Sequence, residues 1–339
     1  MPGYTLPDGL TLRNKLGATN HEELEAAEAS FVVRRLLQIH SGRGPTGNFD
    51  AAHLKAIHRH LFQDVYEWAG HTRDERVALS DRTIATEPVL RKIGGKPFME
   101  GKLIAKSLDR IARRLASQNY LRGLTREEFA NRAADVMVDL NAVHPFREGN
   151  GRTQRVFMEA LAHEAGHKLD FSVVSRERMI QASIAGNENG DPTMMRRLFT
   201  EISEPERVAA LSKAIGDLEQ HGFPWNDRYI ATAEPGHKVD VRLAGVAGDQ
   251  FMARTQTAVL IGKASDLPEQ RPAHGQEFTL LPTEWRNPQR VAAKTNQSGE
   301  GIDWRRYVSD EDYRRQVNEQ REQQQGADRK TGRDEGRKM

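Results

Sequence analysis

Between residues 20 and 202 the apolar positions recur every three to four residues, the spacing of one helical face. Residues 21–40 carry Leu24, Phe31, Val32, Leu36 and Leu37 at that spacing, behind Thr19 and Asn20 as cap candidates. Residues 50–68 repeat it with Leu54, Ile57, Leu61, Phe62 and Val65. Further helices are predicted over about 99–118, 125–142, 150–165, 174–187 and 191–202, with a linking helix over 205–222. Thr125, with Glu128 three residues on, reads as a capping box. The period then falls to two: Val239, Val241 and Leu243; Phe251 and Ala253; Val259 and Ile261; Phe278 and Leu280. Short strands separated by glycine-containing turns predict a small, OB-like β-barrel of roughly five strands. The expected fold class is mainly α: an all-helical core at 1–204, the linking helix at 205–222, the barrel at 223–283 and a polar tail at 284–339. No internal repeat is visible.

The tail changes the reading of composition. Over the whole chain of 339 residues, 37% are hydrophobic and 29% charged, and mean hydropathy is −0.71. From Thr283 onward there are 13 Lys or Arg against 11 Asp or Glu, so this segment carries the whole net charge of +2. Such a stretch buries too little apolar surface to offset its ordering entropy. A balanced total gives no reason to expect nucleic acid as a partner. The predicted strands offer only Phe251 and Phe278 as aromatics, both on the apolar phase, where a nucleic-acid platform needs stacked rings over a basic groove; a spacer or protein-contact module is expected instead. No run approaches ~18 apolar residues, which excludes a membrane-spanning helix, and the first residues lack a secretory signal pattern. Zero cysteines exclude disulfides, thiolate metal sites and a cysteine nucleophile.

Two strings mimic chemistry that their surroundings reject. GRGPTG at 42–47 fits a dinucleotide-binding pattern, but a helix precedes it where a strand is required, and Pro45 interrupts it. HEAGH at 163–167 fits a zinc-protease pattern that needs both imidazoles on one helical face. Gly166 reads as the stop of its helix, which leaves His167 outside.

The string HPFREGNGRTQR at 144–155 is different, because each part has a use. Gly149, Asn150 and Gly151 let backbone N–H groups converge on an anion, and the helix that begins there points its positive end the same way. Arg152 and Arg155, one turn apart, supply planar guanidiniums suited to phosphate oxygens. Glu148 is a single carboxylate beside that cradle, and Mg²⁺ is typically held by one or two carboxylates plus substrate phosphates. His144 can take a proton from an attacking hydroxyl near neutral pH. Together they describe transfer to a hydroxyl from the phosphate chain of a nucleotide.

These residues resemble the signature of the Fic family, H-P-F-x-[D/E]-G-N-G-R-x-x-R, with every fixed position filled. The resemblance spans about 20–202. YEWAGHTRD at 66–74 looks like the segment before the family's flap, and KIGGKPF at 92–98 is similar to the flap itself, a hairpin that holds the target backbone as an added strand; Gly94, Gly95, Lys96 and Phe98 are its candidate target-binding residues. The resemblance implies a protein adenylyltransferase that moves AMP from ATP–Mg²⁺ onto a Tyr, Thr or Ser hydroxyl and releases pyrophosphate. By position it makes His144 the general base and Glu148 the Mg²⁺ ligand. It gives the α-phosphate to Asn150 and the Gly149 and Gly151 backbone, the β-phosphate to Arg152 and the γ-phosphate to Arg155, with Thr153 and Gln154 in the same nucleotide-binding stretch.

A Fic core followed by a small barrel is similar to bacterial type IV secretion effectors and conjugation-linked toxins. That implies synthesis in a bacterial cytoplasm and secretion into a host or recipient cell, although the helical secretion domain that usually follows the barrel is missing from this sequence. The partners implied are ATP, a hydroxyl-bearing target protein and a small antitoxin. Family members are commonly restrained by a helix bearing [S/T]-x-x-x-E-[G/N], whose glutamate pairs with the last arginine of the motif. TGRDEG at 331–336 fits that pattern, but the tail lacks the apolar face that docking requires. The expectation is therefore an accidental match, with restraint supplied by a separate protein that competes for Arg155.

Overall fold

The computed structural model describes residues 3–91 and 97–285. The polar tail, its 331–336 pattern and three of the flap residues, Gly94, Gly95 and Lys96, lie outside the described residues. Residues 1–36 and 45–286 form one contact unit; residues 37–44 belong to a second.

The helices of the first unit stand close to where the periodicity puts them: α1 (His21–Gln38), α2 (Ala51–Phe62), α3 (Gly101–Ser117), α4 (Arg126–Val143), α5 (Asn150–Glu164), α6 (Arg176–Glu188), α7 (Thr193–Ile202) and α8 (Pro205–Gln220). A short antiparallel pair, β1 (Val77–Ala78) and β2 (Ile84–Ala85), precedes α3. The capping box forms as predicted, with Thr125 accepting from the Glu128 N–H and Glu128 accepting from the Thr125 N–H. Helix α4 is the centre. Its buried stripe of Phe129, Ala130, Ala133, Ala134, Val136, Met137, Leu140 and Val143 lets α3, α5, α6 and α7 pack around it. Three of those positions are alanine, which permits close approach without cavities.

The strands β3 (Tyr229–Thr232), β4 (Val239–Ala247), β5 (Gln250–Arg254), β6 (Ala258–Lys263) and β7 (Glu277–Leu280) form one sheet in the order β3-β6-β5-β4-β7. The predicted barrel is not there: among the described residues the sheet stays open. Closure needs the two outer strands to pair. Each is four residues long, and β3, parallel to β6, lies against α6 and α8. Beyond their strands the two edges are tied by hydrogen bonds from the Gly236 N–H to Pro282 O at 2.9 Å and from Trp285 Nε1–H to Ala233 O at 3.3 Å, without a strand ladder between them. The sheet's apolar face centres on Val241, Leu243, Phe251, Ala253 and Leu280. Gly262 must be glycine, since a Cβ there would lie 2.2 Å from the Phe251 ring.

A buried ionic knot fastens this sheet to the helices. Glu201, at the end of α7, is fully buried; it pairs with Arg178 of α6, and its Oε1 accepts from the Thr232 N–H and, at 2.7 Å, from the Thr232 hydroxyl. Arg207 of α8 donates to the same hydroxyl at 2.6 Å. Burial alone would raise the Glu201 carboxyl, but Arg178, Arg207 and the two Thr232 bonds hold it below the usual range.

Candidate active site

Helix α4 ends at His144, whose N–H still donates to Leu140 O at 3.0 Å while its backbone turns left-handed at φ 45°. A non-glycine residue held there stores about 1–2 kcal/mol, and Pro145 after it disfavours the helical alternative. This turn stops the helix and sets the half-buried imidazole in the lining of a cavity. The ring stacks on Phe98, with centroids 3.8 Å apart and planes 10° apart.

The loop from His144 to α5 is shaped by its own side chains and one buried histidine. Asn150 Oδ1 accepts from the Phe146 N–H at 2.9 Å, and Asn150 Nδ2 donates to Phe146 O at 2.8 Å. The Asn150 side chain therefore closes the loop, and what it offers an anion is its backbone N–H. Gly149 sits at φ 82°, and a Cβ there would lie 2.4 Å from the Phe62 ring, so both conformation and space demand glycine. The first turn of α5 then presents the N–H groups of Asn150, Gly151 and Arg152, which the helix itself cannot satisfy. Beneath the loop, His58 is wholly buried and stacks on Phe146 at 3.9 Å. Its Nδ1 accepts from the Gly70 N–H at 2.8 Å, which leaves Nε2 to donate to Glu148 O at 3.0 Å. Burial pushes its pKa down to about 3, so it stays neutral and keeps that tautomer.

Glu148 is a part-exposed carboxylate, with Oε1 2.8 Å from the Gly149 N–H and 3.3 Å from Arg152. No cluster of three or more metal-ligating side chains exists among the described residues. A lone carboxylate fits Mg²⁺ that takes its remaining ligands from nucleotide oxygens and water. Arg152 is held from two further sides, paired with Glu28 of α1 and lying 4.8 Å over the Phe62 ring. Glu28 is itself buried and accepts from the Tyr66 hydroxyl, whose pKa is driven upward by burial and then by Glu28. Arg152 thus stands preformed before any phosphate arrives.

The cavity itself holds about 300 Å³. Its lining includes His144, Phe98, Gly151, Gln154 and Arg155, together with Met179, Ile180, Ser183 and Asn187 of α6. Glu148 and Arg152 stand outside this lining. Arg155 Nε is buried without a hydrogen-bond partner among the described residues, as are Gln154 Oε1 and Asn187 Oδ1. A buried cationic donor left open beside a helix N-terminus fits an anion with several oxygens. Thr153 is fully buried on the packed side of α5, and Gln154 Nε2 donates inward to Leu140 O at 3.1 Å.

Glu159, one turn beyond Arg155, supplies its counter-charge. Burial, reinforced by Asp170 and opposed by Arg155 and Lys168, pushes the Glu159 carboxyl up to about 7. The folded state then binds this proton more tightly than the unfolded state, so stability rises as pH falls from above 7 toward the ordinary carboxylate value. Glu159→Gln is therefore expected to raise the Tm at pH 8 and to change it much less at pH 5 in calorimetry. Equal shifts at both pH values would show that this carboxyl keeps an ordinary pKa.

Both rejected strings are structural. Helix α5 ends before Gly166, which turns at φ 80°, and His167 stacks on Phe129 at 4.5 Å and reaches Leu124 O at 3.1 Å. Residues 42–47 begin inside the helical turn Ile39–Arg43, with no strand leading into them. The sequence reading missed Glu28, His58 and Arg73. The first two sit on predicted helices at apolar phases, where a charged or titratable residue could have been the signal.

The Fic/DOC family model matches residues 48–162. A protein adenylyltransferase of Bartonella henselae is 37% identical over 269 residues, covering 79% of this chain and 49% of that protein. The chain thus spans about half the length of that relative. The structure of the type IV secretion system effector protein BepA is 35% identical, with a TM-score of 0.77 over 84% of this chain and 97% of that one. BepC of Bartonella tribocorum, solved with bound AMPPNP, is 40% identical, with a TM-score of 0.58 over 60% of this chain and 98% of that one. Taken with the intact loop at 144–155, these likenesses place the chain in the Fic/DOC family.

Proposed function

We propose that the chain transfers AMP from ATP to a Tyr, Thr or Ser hydroxyl of a protein. The observation that carries this reading is the cavity lined together by His144, Gly151 of the first α5 turn and Arg155, whose Nε is open. The target oxygen attacks the α-phosphorus, its proton passes to the His144 imidazole, and the bond from the α-phosphorus to the bridging oxygen breaks to release pyrophosphate. The α5 N–H groups take the α-phosphate oxygens, where charge develops and a preset donor is worth most. Arg152 and Arg155 take the β- and γ-phosphates. Mg²⁺ held by Glu148 would neutralise part of the triphosphate charge. Adenylyltransferase names among the relatives, and AMPPNP bound to BepC, support ATP as the nucleotide.

The two legs of the flap support protein as the acceptor. Arg91 and Pro97 form an antiparallel bridge, and the Phe98 N–H donates to Leu90 O at 3.0 Å, beside the His144 ring. A target segment added as a strand there would carry its hydroxyl to the imidazole. The likeness to BepA supports a delivered effector or toxin, restrained by a separate small protein that lodges a carboxylate on Arg155.

The test uses ATP labelled on the α-phosphate, or in a parallel arm on the γ-phosphate, incubated with the protein and a cell lysate. Label should reach protein from the α-phosphate alone and vanish with EDTA. Labelling from the γ-phosphate would make the enzyme a kinase, and labelling that survives EDTA would remove the metal from the reading.

A further inference from the structure

Among the described residues Arg73 is the one arginine with no exposed surface at all, and its nearest acceptors are carbonyls rather than a carboxylate. Its Nε donates to His144 O at 2.9 Å. One terminal nitrogen donates to Pro88 O at 2.8 Å and Glu87 O at 3.3 Å, and the other donates to Met99 O. Its own N–H donates to Pro145 O at 2.8 Å, and its carbonyl accepts from the Glu87 N–H at 2.6 Å. Residues 87 and 88 lead into the flap and residue 99 leads out, so one planar fork holds both legs and the backbone of the candidate base.

We infer that Arg73 is the positioning residue that sets the flap legs in register over His144, and so aligns the target hydroxyl without touching it. This rests on the transfer reading above. Several neighbouring bonds run the same way. The Met99 N–H donates to Ala142 O at 3.3 Å, and the Gly101 N–H donates to Pro88 O at 2.7 Å. Arg147, inside the catalytic loop, pairs with Glu87 at 2.6 Å as a second tie from loop to leg. The Phe98 ring then rests on the imidazole as the outcome of that spacing. A guanidinium suits this task because its five donors lie in one rigid plane, whereas an ammonium offers three donors from one point. Arg73 lies outside the cavity lining, so nucleotide affinity should not depend on it directly.

The experiment compares wild type, Arg73→Lys and Glu87→Gln. Transfer of α-phosphate label is measured against rising lysate protein at saturating ATP, AMPPNP–Mg²⁺ affinity is measured by calorimetry, and Tm is recorded for each. Displacing reacting groups by about an ångström costs on the order of 10²-fold. Arg73→Lys should therefore lose about 10²-fold in transfer at low lysate concentration, and Glu87→Gln a smaller factor in the same direction, while AMPPNP affinity holds in both. Undiminished transfer by Arg73→Lys overturns the proposal. If Arg73→Lys loses AMPPNP binding and Tm together, the arginine is supporting the core, and that result overturns the proposal as well. A wild type that labels nothing sinks the transfer reading itself, and this inference with it.

Discussion

His144→Ala should lower adenylyl transfer by roughly 10²–10⁴-fold or more, the usual worth of a positioned general base, while AMPPNP–Mg²⁺ binding stays close to wild type. That is about 3–5 kcal/mol of transition-state stabilisation. The separation follows from where the groups sit. The imidazole comes from the end of α4 and stacks on Phe98, whereas the anion donors belong to the first turn of α5 and to Arg155. Alanine is itself strained in the left-handed conformation at this position, so His144→Asn is the companion variant, because asparagine tolerates positive φ. Both variants should fail in transfer and bind nucleotide. A loss of nucleotide affinity as large as the loss of transfer would make the histidine a support for the loop rather than its base.

The candidate site was legible because its groups are contiguous. Twelve successive positions contain base, carboxylate, cradle and both arginines, and a helix start between two apolar helices fixes their relative directions. The supporting residues were not legible, because they come from elsewhere in the chain. Glu28, His58 and Arg73 reach Arg152, the Glu148 carbonyl and the His144 carbonyl from segments 71 to 124 residues away, and no local pattern marks such a meeting. The long helices were visible because a stripe repeated over three or more turns has few alternative readings. Strand β3 was missed because three of its four residues, Ile230, Ala231 and Thr232, are buried. A parallel strand covered on both faces does not alternate. The barrel failed for a related reason: alternation reveals strands and their inner face, while closure depends on how the outer strands meet.

Glu201→Ala should destabilise the fold by about 3–5 kcal/mol, the usual penalty for removing one partner of a buried ion pair. Arg178 and Arg207 would be left charged in a place where neither can reach water, since both are almost fully buried, and Thr232 would lose the acceptor of its N–H and its hydroxyl. The same variant should weaken AMPPNP binding, because Arg178 immediately precedes Met179 on a helix that lines the cavity. Glu201→Gln keeps the shape and an acceptor for Thr232, so its cost isolates the charge. The carboxyl is held below its ordinary pKa in the folded state, so its contribution is present above the ordinary carboxylate range and fades as pH falls through the depressed value. The gap in stability between wild type and Glu201→Gln should therefore narrow in acid. Replacing the charges with Arg178→Met, Glu201→Leu and Arg207→Met should recover the electrostatic part of that loss, since apolar groups of similar volume often substitute for buried ion pairs, while Thr232 still lacks its acceptor. Denaturant unfolding of the four proteins at two pH values measures all of this. A loss below about 1 kcal/mol for Glu201→Ala, no more than a typical point mutation costs, would mean that the sheet is held to the helices by its apolar contacts and that the knot adds little.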